Sequence, residues 1–161
     1  MKEYYEIDTL HFEHGQWQIE ADNECEADTV DIVFVFADVD VIRAFDHTRL
    51  LKQRYPNAHI VGTSTAGNIL DDTVSEYQGV ASAVSFDKGH VVIRSVDALQ
   101  NDSLYETAQQ LAQSLPNEDL RHAFVMADGL KINGSQLVKG LNSILDVSVT
   151  GGLAGDNLTF E

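Results

Sequence analysis

A run of small and hydroxyl-bearing residues, "GTSTAG", follows a short apolar segment and is the stretch of the chain best suited to chemistry. It places Gly62, Thr63, Ser64, Thr65 and Gly67 almost in succession. Hydroxyl groups and backbone amides can hold a polar ligand, and glycine lets a ligand approach the backbone closely. The stretch therefore indicates either a serine nucleophile on a turn or a cradle for a small molecule.

Two later segments have the same character. "VMADGLKINGS" leaves a predicted strand through Asp128 and Gly129 and enters a predicted helix, and "VSVTGGLAGD" leaves a strand through several glycines. Ligands of open α/β sheets bind outside the carboxyl ends of the strands, so we expect the three loops to meet in one crevice at one sheet edge. The candidate ligand-binding residues are Gly62, Thr63, Ser64, Thr65, Ala66, Gly67, Asp128, Gly129, Asn133, Gly151, Gly152, Gly155 and Asp156.

The sequence around Ser64, "GTSTA", is close to the G-x-S-x-G motif of serine hydrolases. In those enzymes a helix follows the serine, and the catalytic acid and then the histidine lie further along the chain. The next segment, "NILDDTVSEYQG", does not predict a helix. Asp128 could serve as the acid, but the last histidine is His122 and none follows. We therefore expect no catalytic residue and no enzyme, with a serine hydrolase as the lesser alternative.

The histidine and cysteine pattern predicts no metal site. Cys25 is the only cysteine, which leaves no intrachain disulfide and no cysteine metal cluster. The histidines lack spacings such as His-Glu-x-x-His, and the chain has no Cys-x-x-Cys-His motif for covalent haem. A non-covalent haem held by one histidine stays open, so the cofactor is unknown at this point. The histidines are His11, His14, His47, His59, His90 and His122.

The elements that position these loops follow from hydrophobic periodicity. "DIVFVFAD" is an almost unbroken apolar run, typical of a strand buried on both faces of a parallel sheet. A helical pattern then runs from Asp40 until Pro56, and "AHIVG" is the next buried strand. Residues 31–62 are therefore predicted to form a β-α-β unit. Residues 4–20 indicate one or two further strands.

The middle and the end of the chain give the rest of the fold. Two strand-like runs around Asp87, Lys88 and Gly89 predict an antiparallel hairpin over about residues 79–96. A helix is predicted over 103–115, because Ser103 and Glu106 have capping-box spacing. "HAFVMAD", a helix that starts at "NGSQ", and "VSVTGG" complete the pattern. The predicted class is α/β, with helices packed on a mixed, mostly parallel sheet.

Composition limits the domain count and the partners. With 161 residues and 43% hydrophobic composition, one domain is expected: residues 1–30 as N-terminal strand and acidic loop, and residues 31–161 as the α/β domain. The net charge of −16 disfavours nucleic acid and anionic membrane surfaces. The sequence shows no signal-peptide pattern and no apolar run of about 18 residues, so a cytoplasmic location is expected.

Four segments together resemble the N-terminal half of the FIST sensory domain, the FIST N domain: "DIVFVFAD", "HIVGTSTAGNI", "AFVMADGLKINGSQLVKGLNSIL" and "VSVTGGLAGD". The resemblance covers about residues 31–156, in order and spacing. It implies a bacterial signal-transduction domain that senses a small ligand, amino acids being a suggested class. It also implies a kinase, a cyclic-di-nucleotide enzyme or a chemotaxis protein as partner. Some members of the family are described as haem-binding nitric oxide sensors, which is the alternative within the family.

The resemblance also has consequences for the ends of the chain. The family normally continues into a second, C-terminal module, whereas this chain stops shortly after Asp156. We therefore expect a fragment of a longer protein, with apolar surface that the missing module would cover. Such a piece is expected to self-associate as a homodimer. The sequence predicts a sensory module that binds a small polar ligand in a crevice of glycine- and hydroxyl-rich loops.

Overall fold

The computed structural model describes residues 5–20, 25–70, 73–75, 78–98, 103–116 and 118–155. Within these ranges the chain forms two compact units, which meet in sequence at Val91 and Val92. Each unit has its own sheet and its own core, and each is described by itself below.

The first unit is built on a five-stranded sheet with the strand order β2-β1-β7-β3-β4. The β3–β4 pair is parallel and the other neighbours are antiparallel, while β5 and β6 form a separate two-stranded ribbon. The elements are β1 Tyr5–Glu13, β2 Gln16–Ile19, β3 Ile32–Ala37, α1 Val39–Ala44, α2 His47–Lys52, β4 His59–Ser64, β5 Asn68–Leu70, β6 Thr73–Ser75 and β7 Gly79–Phe86.

The predicted β-α-β unit is confirmed, but its crossover contains two short helices instead of one. Phe45 leaves the helical conformation after α1, with φ −130° and ψ 143°. Asp46 then begins a new helix, because its Oδ1 accepts a hydrogen bond of 2.9 Å from the backbone N–H of Arg49. The helical periodicity of the sequence continues across this break, so it does not reveal the second cap.

The α/β class and the mixed sheet are confirmed, while two details of the predicted sheet are wrong. The five-stranded sheet is mostly antiparallel, with β3 and β4 as its parallel pair. The second half of the predicted 79–96 hairpin is not a strand, since residues 89–97 have no regular structure. The reason is that β7 pairs with β1 on one side and with β3 on the other, which leaves it no edge for a hairpin partner.

The core of the first unit contains a buried carboxylate. Asp8 on β1 has no exposed surface, and the hydroxyl of Tyr55 donates a 2.7 Å hydrogen bond to its Oδ2. The backbone N–H of Cys25 donates to Oδ1 at 3.4 Å, and the Arg54 guanidinium lies 4.0 Å from Oδ2. These contacts tie β1 to the segments before β3 and after α2, and they supply the partners that a buried charge requires.

The same environment suppresses two ionisations. Burial, followed by the charge of Asp8, raises the pKa of the Cys25 thiol to about 11. Burial and the hydrogen bond to Asp8 likewise raise the pKa of Tyr55. At neutral pH Cys25 is therefore a protonated thiol, which makes it a poor nucleophile.

The second unit packs two helices against a parallel pair of strands. Its elements are α3 Leu104–Gln113, β8 His122–Asp128, α4 Gly134–Asn142 and β9 Ser148–Ala154. The predicted cap of α3 is confirmed, because Ser103 Oγ accepts from the Glu106 N–H at 3.3 Å. The helices approach closely at Gly140, where a Cβ would lie 2.6 Å from the Ala108 Cβ. The buried core consists of Ala108, Ala112, Leu137, Leu141 and Leu145.

The helices of the described ranges are short. The longest of them, α3, has 10 residues, and none has the length and apolar character that a bilayer span requires.

Replacing Tyr55 by phenylalanine removes only the hydroxyl that donates to Asp8. The buried carboxylate then loses a charge-assisted hydrogen bond, so the free energy of unfolding should fall by about 1.5–3 kcal/mol. Tyr5→Phe is the matched control, because Tyr5 is 55% exposed, and it should change the free energy by less than about 0.5 kcal/mol. Urea unfolding followed by circular dichroism compares the two variants. Equal, small effects would show that this hydrogen bond does not stabilise the fold.

Candidate functional site

One row of residues crosses all five strands of the larger sheet of the first unit, near the carboxyl ends of β3 and β4. In the sheet register the row runs Trp17, Phe12, Gly79, Ala37 and Ser64, and we call it the cross-sheet row. Residues directly opposite one another on neighbouring strands project to the same face. The row therefore brings an indole ring on β2 and a hydroxyl on β4 to one face of the sheet.

Gly79 at the middle of the cross-sheet row leaves room for the tryptophan ring. A Cβ at this position would lie 3.0 Å from the Ala37 Cβ and 3.1 Å from Cη2 of Trp17. The Cβ of Phe12 would lie 3.2 Å away. The indole therefore reaches across β1 to the strand that pairs with β3, close to the point where β3 ends.

Asp38 follows directly after the row and is a functional candidate that the sequence analysis missed. The residue is only 2% exposed, although it stands at the end of a strand. Its Oδ1 accepts a 2.8 Å hydrogen bond from the Asp40 N–H and so begins α1. Its Oδ2 is buried and has no hydrogen-bond partner among the described residues. A carboxylate directly after an apolar run at a strand end was the available signal.

Asn68 is the second residue that the sequence analysis missed. It begins β5, is 3% exposed, and its side-chain amide donates to the carbonyl of Gln78. Its Oδ1 is buried and, within the part of the chain that the structure describes, accepts no hydrogen bond. The residue looked like an ordinary turn asparagine in the sequence, because nothing local indicates that it is buried.

The predicted 62–67 loop is in fact half strand and half turn. Gly62, Thr63 and Ser64 belong to β4, and a Cβ at Gly62 would lie 3.0 Å from the Val35 Cβ. Gly62 therefore serves the close approach of β4 to β3. Thr65 closes the turn that follows: its hydroxyl donates to the Gly67 carbonyl at 2.7 Å and accepts from the Gly67 N–H at 3.3 Å.

The chain after Ser64 does not form the geometry of a nucleophile elbow. That motif places the serine between a strand and a helix. Here residues 65–67 form a short turn and residues 68–70 form β5. Ala66 is exposed in this turn, and a Cβ at Gly67 would meet no atom within 4 Å. The turn is therefore open to solvent at its tip.

Asp128 lies at the carboxyl end of β8, in the second unit, opposite Ala154 of β9. Its Oδ1 accepts from the backbone N–H groups of Leu130 and Lys131 at 2.9 and 3.2 Å, and the Lys131 ammonium lies 3.7 Å from Oδ2. The hydrogen bond from Leu130, with those from Lys131, holds the pKa of Asp128 below its ordinary value. Asp128 thus shapes its own turn, as an ionised carboxylate.

Other predicted ligand-binding residues of this unit cap a helix or allow close approach of the backbone. Asn133 begins α4, where its Oδ1 accepts from the N–H groups of Ser135 and Gln136. A Cβ at Gly129 would lie 2.2 Å from the Ala154 carbonyl oxygen. Gly155 follows β9, and Asp156 lies outside the described residues. Whether any of these residues contacts a ligand remains a prediction.

Gly151 and Gly152 are neighbours on β9 with opposite environments. Gly151 has φ +146°, and a Cβ there would lie 1.8 Å from the Val125 carbonyl oxygen. A Cβ at Gly152 would meet nothing within 4 Å. The first glycine is therefore required by the backbone, whereas the second is not.

The predicted loops do not share one sheet. Ser64 belongs to the five-stranded sheet, whereas Gly129 and Gly152 belong to the pair formed by β8 and β9. In the described ranges β8 pairs with β9, and β4 is the outer strand of its own sheet. Binding of a ligand by these loops stays a prediction.

The described residues include no group of three or more histidine, cysteine or acidic side chains that could hold a metal ion. Several histidines have partners instead: His47 Nε2 lies 2.9 Å from the Val41 carbonyl, and His122 Nε2 lies 2.7 Å from the Thr150 hydroxyl. The site at the end of β3 offers one carboxylate and one amide oxygen. Two such oxygens are fewer than the six or more ligands that a hard metal cation takes.

Comparison with known proteins identifies the family. The model of the FIST N domain matches residues 31–161, which is most of the chain, and the chain belongs to this family. The match begins immediately before β3 and includes the β3 end, the turn at Thr65 and the whole second unit. The family is one of signal-transduction sensory domains. No curated protein and no solved structure matched the chain.

Replacing each of the two neighbouring glycines on β9 by alanine tests whether the backbone requires glycine at position 151. Gly151→Ala should lower the free energy of unfolding by at least about 2 kcal/mol, because the methyl group meets a carbonyl and the backbone conformation is strained for alanine. Gly152→Ala is the matched control and should stay within about 0.5 kcal/mol. Chemical denaturation measures both variants. A Gly152→Ala variant as unstable as Gly151→Ala would contradict the assignment of different roles.

Proposed function

We propose that the chain is a non-catalytic sensory module that binds a small polar metabolite, such as an amino acid, at the carboxyl ends of its strands. The observation that carries the proposal is the pair of buried oxygens, Asp38 Oδ2 and Asn68 Oδ1, that lack hydrogen-bond partners among the described residues. Buried polar atoms in folded proteins are nearly always hydrogen-bonded. A ligand with hydrogen-bond donors would provide the missing partners of these two oxygens.

Membership of the FIST N family supports the sensory part of this proposal. The ligand type is our inference from the chemistry of the strand ends. Gly62, Gly129 and Gly151 have packing roles, so the polar contacts should come from side chains and from the open turn at residues 65–67. Binding at a strand end also suits a sensor, because loops that close a ligand site can move while the sheet stays rigid.

The absence of catalysis is part of the proposal. Cys25 is held as a thiol, and the backbone around Ser64 continues into a strand instead of a helix. Thr65 uses its hydroxyl to close its own turn. These features favour binding over nucleophilic chemistry, which needs an activated nucleophile beside a base.

A sensor acts through a partner that responds to the bound state. A ligand shifts an equilibrium only if it binds one state more tightly than the other. For this family a kinase, a cyclic-di-nucleotide enzyme or a chemotaxis protein would receive the signal, together with a C-terminal module and a second copy of the chain as further candidates. We place this exchange in the cytoplasm.

A thermal-shift screen of the twenty amino acids and other small metabolites tests the proposal. A ligand at about 100 times its dissociation constant stabilises the folded state by roughly 2.7 kcal/mol, which a melting curve resolves easily. Ser64→Ala should retain this shift in full or in part, and the wild-type chain should not react with a fluorophosphonate probe. Covalent labelling that disappears in Ser64→Ala would show a serine hydrolase instead. A visible absorption band after purification would favour haem.

A further inference from the structure

Asp38 and Asn68, whose buried oxygens have no hydrogen-bond partner among the described residues, both lie near the carboxyl end of β3. The backbone N–H of Thr65 donates to the Ala37 carbonyl at 3.0 Å, so the turn that leads to Asn68 is tied to the end of β3. The side chain of Asn68 is fixed in turn by the carbonyl of Gln78. Gln78 precedes Gly79, which pairs with Ala37, the residue before Asp38. The register and these bonds therefore bring the two residues to one short stretch at the end of β3.

Both atoms are acceptors, which defines the missing partner. Asp38 uses its Oδ1 to cap α1, which leaves its Oδ2 for a hydrogen-bond donor. Asn68 uses its amide nitrogen as a donor, which leaves its Oδ1 for another donor. A buried carboxylate is stable only when its charge is compensated. An anion or a further acceptor would be repelled. A donor that carries positive charge would satisfy both oxygens and compensate the carboxylate.

A primary ammonium group meets this requirement better than a metal ion. An ammonium group has three donors and no acceptor, which matches separate oxygens from a carboxylate and an amide. A hard metal cation prefers six or more oxygen ligands, and the described residues contain no cluster of three or more metal-binding side chains. We propose that Asp38 and Asn68 form an ammonium subsite at the end of β3, which rests on the proposed ligand-binding function and specifies it.

Trp17 lies in the cross-sheet row, whose member Ala37 directly precedes Asp38. Its ring reaches Gly79 in the cross-sheet row, where a Cβ would lie 3.1 Å from Cη2. The indole Nε1 is buried and has no hydrogen-bond partner in the described ranges. This N–H is a hydrogen-bond donor. The ammonium group of a free α-amino acid matches the two acceptor oxygens, and the Trp17 N–H is a reporter on the neighbouring part of the sheet.

The variant Asp38→Asn isolates the carboxylate oxygen. The amide keeps an oxygen for the Asp40 N–H and can place an NH₂ group where Oδ2 lies, so the shape of the site is preserved. The ammonium group would then face a donor and no negative charge. Asp40→Asn is the matched control, because Asp40 is exposed, lies two residues away and carries the same charge.

The experiment titrates wild type and both variants, as the full chain, with the twenty amino acids and with their N-acetyl derivatives. At least one free amino acid should raise the melting temperature of wild type and of Asp40→Asn, while its N-acetyl form has no effect. Asp38→Asn should bind the same compound about 10- to 100-fold more weakly by calorimetry, as expected for a lost charge-assisted hydrogen bond.

The ligand-free proteins supply an independent readout. An uncompensated buried carboxylate destabilises the empty site, so Asp38→Asn without ligand should melt at a higher temperature than wild type. A residue that served only as the cap of α1 would give no such gain, since asparagine and aspartate cap helices about equally well. A lower melting temperature of the ligand-free variant would count against the subsite.

The remaining outcomes separate the subsite from the general function. The ammonium subsite is overturned if wild type and Asp38→Asn bind the amino acid with equal affinity, or if the N-acetyl compound binds as tightly as the free amino acid. Either result indicates that water donates hydrogen bonds to the two oxygens. If only neutral or anionic metabolites stabilise the protein in the wider screen, the subsite is wrong and the sensory function stands. If no compound stabilises it, both proposals fail.

Discussion

The pairing of β3 is the constraint on which the first unit depends. This strand pairs in parallel with β4 and antiparallel with β7, and its alternate residues Val33, Val35 and Ala37 are buried on one face. A shift of the register by one residue would turn this whole set to the other face. The same register fixes where the strand ends, and so it determines that Asp38 emerges beside Gly79 in a buried position.

The carboxylates at the strand ends of the two units differ in burial and in hydrogen bonding. In the second unit the carboxylate at the end of β8 is exposed, hydrogen-bonded to its own turn and close to Lys131. In the first unit the equivalent position after β3 is buried and one of its oxygens has no partner in the described part of the chain. Both carboxylate oxygens of the buried Asp8, by contrast, accept hydrogen bonds from neighbouring residues. The buried oxygen without a hydrogen-bond partner in the described residues therefore lies at the strand end, which is where α/β folds bind ligands.

Local patterns predicted the elements well and their partners less well. The β-α-β unit and the Ser103 cap follow from periodicity and from side chains that act within three residues. The break at Asp46 and the missing half of the 79–96 hairpin depend on which strand edges are already taken. The same limit applies to the site. The sequence does not show that a Cβ at Gly151 would meet a carbonyl, and Asn68 became a candidate only through its burial and its bond to Gln78.

The indole N–H of Trp17 tests most directly whether the end of β3 is the ligand site. The chain contains one tryptophan, so a proton–nitrogen correlation spectrum shows a single indole signal from the cross-sheet row. Addition of the free amino acid that stabilises the protein most should shift this signal and slow its exchange with solvent, while the N-acetyl form leaves it unchanged. A ligand that stabilises the protein fully without moving the Trp17 signal would place the binding site elsewhere and contradict the account.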